Sequence, residues 1–191
     1  MGERERLGDH RGRRDADRTG RPSGDRGAVA DGKPRFVVQI HDARTLHFDF
    51  RLQVGDVLKS WSVPKGPSAR PKDKRLAVPT EDHPLEYEEF EGVLARGEDG
   101  GGTVIVWDRG TYEPLGPDTG VEEGLRRGHV SFRLHGAKLR GTYALTRFKG
   151  EDEWLLVKAG GGHGHGHGTP DPRRARSVRT GRTLAQVAAG V

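Results

Sequence analysis

Between residues 35 and 158 the apolar side chains of this chain recur at every second position, and that alternation limits what it can fold into. Phe36, Val38 and Ile40 alternate with Val37, Gln39 and His41, and Phe48, Phe50 and Leu52 alternate with His47, Asp49 and Arg51. Successive side chains of an extended strand point to opposite faces, so each segment offers one apolar face to a core. The same pattern predicts strands at Val57–Val63, Arg75–Val78, Thr103–Trp107, Val130–Leu134, Gly141–Phe148 and Trp154–Lys158, separated by runs rich in Gly, Pro and Asp. A short helix is predicted over Val121–Arg127. Eight short strands in about 124 residues predict an all-β domain, an antiparallel barrel or sandwich, and closure would hide its edge strands.

The flanks read differently. Residues 1–34 are dense in Arg, Asp and Gly and predict a flexible arm. Residues 159–176 begin as a Gly/His tract and continue as a Pro/Arg linker. Only the last fifteen residues predict order, with Thr183 capping a short helix that carries Leu184, Val187 and Ala188 on one side. The expected organisation is therefore an arm at 1–34, a β-domain at 35–158, and a linker with a basic tail at 159–191, both flanks disordered. The chain has no cysteine, which excludes disulfides, thiolate metal sites and cysteine nucleophiles. It has no run of about 18 apolar residues and no apolar segment near its start, so neither a membrane span nor a secretory signal is expected, and the expected location is cytoplasmic. The net charge is +5, but residues 35–158 carry 19 Lys/Arg against 20 Asp/Glu, so the excess lies in the flanks.

The chemistry concentrates in the run from Gln39 to Arg51. His47, Asp49 and Arg51 share one face of their strand, and Gln39 and His41 share a face of the strand before it. A connection as short as Asp42–Leu46 lets the two strands pair as a hairpin with His41 beside His47 and Asp49. Two imidazoles and a carboxylate form an open facial set for Mn²⁺, Fe²⁺ or Zn²⁺, with positions left for water or a substrate oxygen. Residues 65–75 then hold five cations, Lys65, Arg70, Lys72, Lys74 and Arg75, against one acid, a stripe suited to phosphates. His83 precedes Pro84, which favours an extended conformation there, and a histidine fixed near a metal can protonate a leaving oxygen. His163, His165 and His167 alternate with glycine, and the ordering cost of such a tract argues against a catalytic site.

Several blocks occurring in one order, FVVQIHDARTLHFDFRL, LKSWSVPKGPS, KRLAVPTEDHPLEYEEFEG, GTVIVWDRGTYEP, KLRGTYALTRF and WLLVK, closely resemble the 3′-phosphoesterase domain of DNA ligase D. The resemblance implies a compact β-barrel with a manganese site. It implies removal of a 3′-terminal ribonucleoside and then of the 3′-phosphate, in end joining of double-strand breaks. His41, His47 and Asp49 match the metal ligands, and Arg51 and His83 match residues at the scissile phosphate. Gln39, Lys65, Arg75 and Tyr87 match further active-site positions, and Arg14 and Asp15 match an Arg-Asp pair in the arm. The implied partners are DNA primer-templates or duplex 3′ ends, with or without terminal ribonucleotides, and separate ligase and polymerase components. Three positions depart from the pattern: Arg21 stands where the family carries an acid used in the nucleoside-removing step, Ala16 where an aromatic follows the Arg-Asp pair, and Asp99 where an aromatic is common.

Two other classes share these residues. The set of two histidines and one carboxylate also serves Fe(II) oxygenases, although there the second histidine normally lies downstream rather than upstream. The basic flanks alternatively fit a non-catalytic nucleic-acid-binding or ligase-recruiting module.

Overall fold

The computed structural model describes residues 32–97, 101–116, 120–160 and 167–191. Arg14, Asp15, Ala16, Arg21, Asp99, His163 and His165 lie outside the described residues, so the expectations placed on them are not addressed below. The strands are β1 (Arg35–Asp42), β2 (Leu46–Val54), β3 (Val57–Val63), β4 (Arg75–Pro84), β5 (Gly92–Leu94), β6 (Gly102–Leu115), β7 (His129–Gly136), β8 (Arg140–Lys149) and β9 (Glu153–Lys158). Two α-helices, α1 (Gly120–Arg127) and α2 (Leu184–Ala189), and a 3-10 turn at Leu85–Glu89 complete the described elements.

The order β1-β2-β3-β4-β9-β8-β7-β6 returns to β1 through an antiparallel β6–β1 pairing. Eight strands thus close a barrel, as expected, and closure leaves them without a free edge. The short β5 pairs with the first residues of β6 outside this closure. Gly102, where β6 begins, has a φ of +90°, and a Cβ there would run into the Asp42 carbonyl, so only glycine lets β6 approach β1 here.

The alternation seen in sequence sets the interior. Phe36, Val38, Ile40, Phe48, Phe50 and Leu52 are buried on the inner faces of β1 and β2, and Phe50 stacks on Phe132 with ring centroids 5.8 Å apart. The outer faces of the same strands are buried as well. Val37, Leu58, Tyr87 and Val106 form a second apolar cluster there, joined by Leu85, Phe90 and Val178. Of the three one-residue bulges among the described residues of the sheet, one lies on β8 at Phe148 and two adjust β6 and β4. One lies on β6 at Trp107, between the pairs Gln39↔Val106 and Val38↔Asp108. The other lies on β4, between Ser60↔Thr80 and Leu58↔His83, and returns His83 to the face that carries Thr80.

The C-terminal flank differs from expectation. Residues 167–191 form a strap against the barrel. Ala175, Leu184 and Val187 join the main core, and Val178 donates its N–H to the Val106 carbonyl at 2.9 Å. Thr169 donates to the Pro67 carbonyl at 2.6 Å, and Arg173 forks onto Asp42 at 2.8 and 3.3 Å. Ala175 stands alone in a Pro/Arg run and leaves no periodic signal, and polar contacts supply the rest of the docking before α2. The cap at α2 is as expected: Thr183 and Gln186 bond reciprocally, and Leu184 and Val187 face inward, whereas Ala188 is exposed. Replacing Thr183 by Ala is expected to cost about 1 kcal/mol. It would show as roughly fivefold faster hydrogen exchange at the Val187 and Gly190 amides. Among the described residues, no helix is long and apolar enough to cross a membrane.

Candidate metal centre

The hairpin of β1 and β2 brings the predicted ligands together on the outer face of the barrel. His41 lies directly opposite His47, and Gln39 opposite Asp49. One ligand atom from each of His41, His47 and Asp49 falls within 4.8 Å of the others. His41 Nδ1 is 3.7 Å from Asp49 Oδ2, and His47 Nε2 is 3.3 Å from Asp49 Oδ1.

The second nitrogen of each ring decides what the first can do. His41 Nε2 lies 2.5 Å from the Gly101 carbonyl, and His47 Nδ1 lies 2.8 Å from the Thr45 carbonyl. A carbonyl only accepts, so each of these nitrogens carries a proton and donates it. In the neutral rings His41 Nδ1 and His47 Nε2 are then left with lone pairs beside the carboxylate. Metal-ligating histidines are oriented in this way, through a second ring nitrogen bonded to a backbone carbonyl. The donor set therefore fits a divalent transition metal.

Arg51 borders the set and is almost fully buried. Its Nε donates to Gln39 Oε1 at 2.8 Å, its Nη1 donates to Ser60 Oγ at 2.8 Å, and its Nη2 lies 3.3 Å from Asp49 Oδ2. The guanidinium sits over the Tyr87 ring, 4.9 Å from its centroid. Gln39 is itself fixed by donating to the Tyr87 and Phe90 carbonyls at 2.9 and 3.1 Å. Burial pushes the Asp49 carboxyl up, but Arg51 and the two imidazoles outweigh it and hold the group well below the usual carboxylate range. Burial alone would lower His47, but the Asp49 carboxylate beside it raises it.

His83 completes the arrangement. Its Nδ1 lies 3.2 Å from Arg51 Nη1 and 3.1 Å from the Glu81 carbonyl, and its ring centroid is 4.6 Å from that of Tyr87. An open hollow of about 230 Å³ is lined by His41, His47, Asp49, Arg51, Thr80, Glu81 and His83. Five of the expected site residues therefore line one cavity, and Gln39 and Tyr87 stand behind Arg51. Lys65 and Arg75 are not brought into it. Lys65 is exposed in the turn after β3, and Arg75 pairs with Asp73 at 3.6 Å on the strand face shared with the core residue Ala77. Lys65 lies in the loop between β3 and β4, and Arg75 opens β4 on the core-facing side, so neither cation reaches the outer face. Ser60, Thr80, Glu81 and the carbonyls of Thr45 and Gly101 were missed. Only Ser60 left a signal, because it is the residue opposite Arg51 in the β2–β3 register.

Fold and side chains together define a class: a closed antiparallel barrel that carries two imidazoles, a carboxylate and a buried arginine around one surface hollow. Residues 39–147 match the family described as the DNA ligase D 3′-phosphoesterase domain, and the chain belongs to it. Membership implies a phosphoester hydrolase. The multifunctional non-homologous end joining protein LigD of Pseudomonas aeruginosa is 46% identical over 184 residues, 93% of this chain and 22% of the relative. The multifunctional non-homologous end joining DNA repair protein LigD of Mycobacterium tuberculosis is 43% identical over 151 residues, 79% of this chain and 19% of the relative. The LigD of Mycolicibacterium smegmatis is 39% identical over 154 residues, with 79% and 20% covered. The chain thus spans about a fifth of the length of these relatives.

Proposed function

We propose that this chain is a manganese-dependent 3′-phosphoesterase that heals DNA ends for non-homologous end joining, removing 3′-phosphates and 3′-terminal ribonucleosides ahead of separate ligase and polymerase components. One observation carries the reading: two imidazoles with fixed tautomers, an ionised carboxylate and a buried, oriented arginine converge on a single hollow. His41, His47 and Asp49 would hold the metal, which supplies Lewis acidity toward a phosphoryl oxygen.

The protein's own groups do the rest. Three of the five N–H groups of Arg51 face Gln39, Ser60 and Asp49, and the rest of the fork remains for phosphoryl oxygens. A donor held in place before charge develops stabilises it without reorganisation. Gln39 and Tyr87 act through Arg51 by fixing its plane. His83 lines the hollow beside Arg51 and, carrying a proton, donates it to the leaving oxygen. Arg14, Asp15, Lys65 and Arg75 contact the substrate strand, a role that rests on resemblance to the family.

The test is direct. Purified protein is incubated with duplexes ending in 3′-phosphate or in a 3′-ribonucleotide, across Mn²⁺, Mg²⁺, Zn²⁺ and Co²⁺. Inorganic phosphate is expected with Mn²⁺ and is abolished by a chelator. No release from either substrate with any of these metals would sink the proposal.

A further inference from the structure

The mouth of the barrel next to the metal centre holds a second hollow that the reaction does not use. β1, β3, β7 and β9 end there, at Asp42, Val63, Gly136 and Lys158, and β4 and β8 begin there. The strap closes over this end and leaves a cavity of about 630 Å³ with Pro67, Trp107, Leu139 and Ala175 among its lining. Its rim carries Lys138, Arg140, Lys158 and Arg176, and among the described residues no Asp or Glu lines it.

These four cations make no ion pair among the described residues. Lys138 Nζ donates instead to the Arg176 carbonyl at 2.6 Å, and Lys158 Nζ to the Arg140 carbonyl at 3.0 Å. A carbonyl orients an ammonium group without cancelling its charge, so the rim holds fixed, unneutralised positive charge. Burial pushes the Lys138 ammonium pKa down, partly offset by the nearby Asp108, and an anion at the rim would relieve that cost. The adjoining loop adds exposed Arg70, Lys72 and Lys74. The basic stripe of the sequence therefore lies at this mouth rather than in the metal hollow. The mouth also borders the metal centre, because Arg173 of the strap grips Asp42, the neighbour of His41.

We propose that this mouth is a second nucleic-acid contact that takes an unpaired nucleotide of the substrate, its base in the cavity and its flanking phosphates on Arg140, Lys158 and Arg176. The proposal rests on the reading that the chain acts on nucleic-acid ends. A cavity of this size admits one flat base, whereas duplex DNA keeps its bases stacked and paired. An apolar floor inside a cationic rim is how single strands are held without regard to sequence. An acidic peptide would satisfy the rim but would leave the apolar floor without a matching group.

The experiment measures binding, not turnover, with chelator-treated protein and fluorescence anisotropy. Its ligands are a blunt 3′-phosphate duplex, the same duplex with a single-stranded extension of about six nucleotides, and a poly-glutamate peptide as competitor. The extension is expected to tighten binding to wild type about tenfold, and Arg140→Ser/Arg176→Ser is expected to lose that gain and lower the salt slope by about two. Both side chains are exposed, so the variant keeps its fold. Ala69→Phe fills the cavity with the charges intact, and is expected to lose the gain at an unchanged salt slope. A full gain in both variants overturns the proposal, as does a peptide that competes as well as the extension. If the metal-loaded protein processes the blunt duplex while the extension adds nothing to binding, only this inference fails. If the metal-loaded protein processes no duplex at all, the proposed function fails with it.

Discussion

Asp49→Ala is expected to lower turnover on a 3′-phosphate duplex by on the order of a thousandfold and to remove measurable Mn²⁺ binding. Among the described residues, Asp49 is the only anion in contact with both imidazoles, and it also faces Arg51. Without it, two neutral rings and a cation surround the metal position, and a divalent ion is bound weakly there. Asp49→Asn separates shape from charge: the amide keeps the hairpin geometry but supplies a weak ligand, so it is expected to fall close to the alanine variant. A packing role alone would leave the asparagine variant near wild type. Single-turnover phosphate release at saturating Mn²⁺, with calorimetric titration of the metal, reads both quantities. Turnover within tenfold of wild type in either variant would show that Asp49 is not a ligand.

The part of this site that sequence made legible is the part built from a single hairpin. Period two put His47, Asp49 and Arg51 on one face, and the short Asp42–Leu46 connection set the register that places His41 opposite His47. His83 was recognisable as a residue, but its position depends on the β4 bulge, and a one-residue insertion into a ladder has no sequence mark. β4 itself was expected only to Val78, because Pro79, Glu81, Asp82 and Pro84 break the apolar alternation while the chain remains extended. β5 is three residues long, and no period can be read from three residues. The burial of both faces of β1 and β2 was also hidden, since Tyr87 and Phe90, which cover the outer face, arrive from a 3-10 turn some 50 residues on. The charge run at 65–75 carried no positional signal, because its place depends on a loop whose path has no period, and that loop takes it to the barrel mouth.

A larger effect on stability is expected at a residue that sequence did not single out. Asp108 is fully buried at the β6 bulge. Its Oδ1 accepts from Ala137 and Lys138 N–H at 2.9 and 3.1 Å, and its Oδ2 accepts from Leu139 N–H at 2.7 Å. One carboxylate therefore closes the whole β7–β8 turn. Gly136 sits against it so tightly that a Cβ there would meet Asp108 Oδ2 and the Phe36 ring. Asp108→Ala leaves three backbone donors without an acceptor and is expected to cost about 3 kcal/mol, seen as a lower urea midpoint at unchanged m value. Asp108→Asn keeps one acceptor oxygen and recovers part of the loss. Burial raises the Asp108 carboxyl, and the N–H groups of Leu139, Lys138, Arg109 and Ala137 only partly pull it back. A raised folded pKa means that its stabilisation is complete in acid and declines as pH rises through the folded value. The deficit of Asp108→Asn relative to wild type is thus expected to be largest in acid and to narrow toward neutrality. Mn²⁺ affinity, measured where Asp108→Ala is still folded, is expected to match wild type, because none of the Asp108 contacts reaches His41, His47 or Asp49. An unchanged urea midpoint in Asp108→Ala would mean that the turn holds itself without the carboxylate.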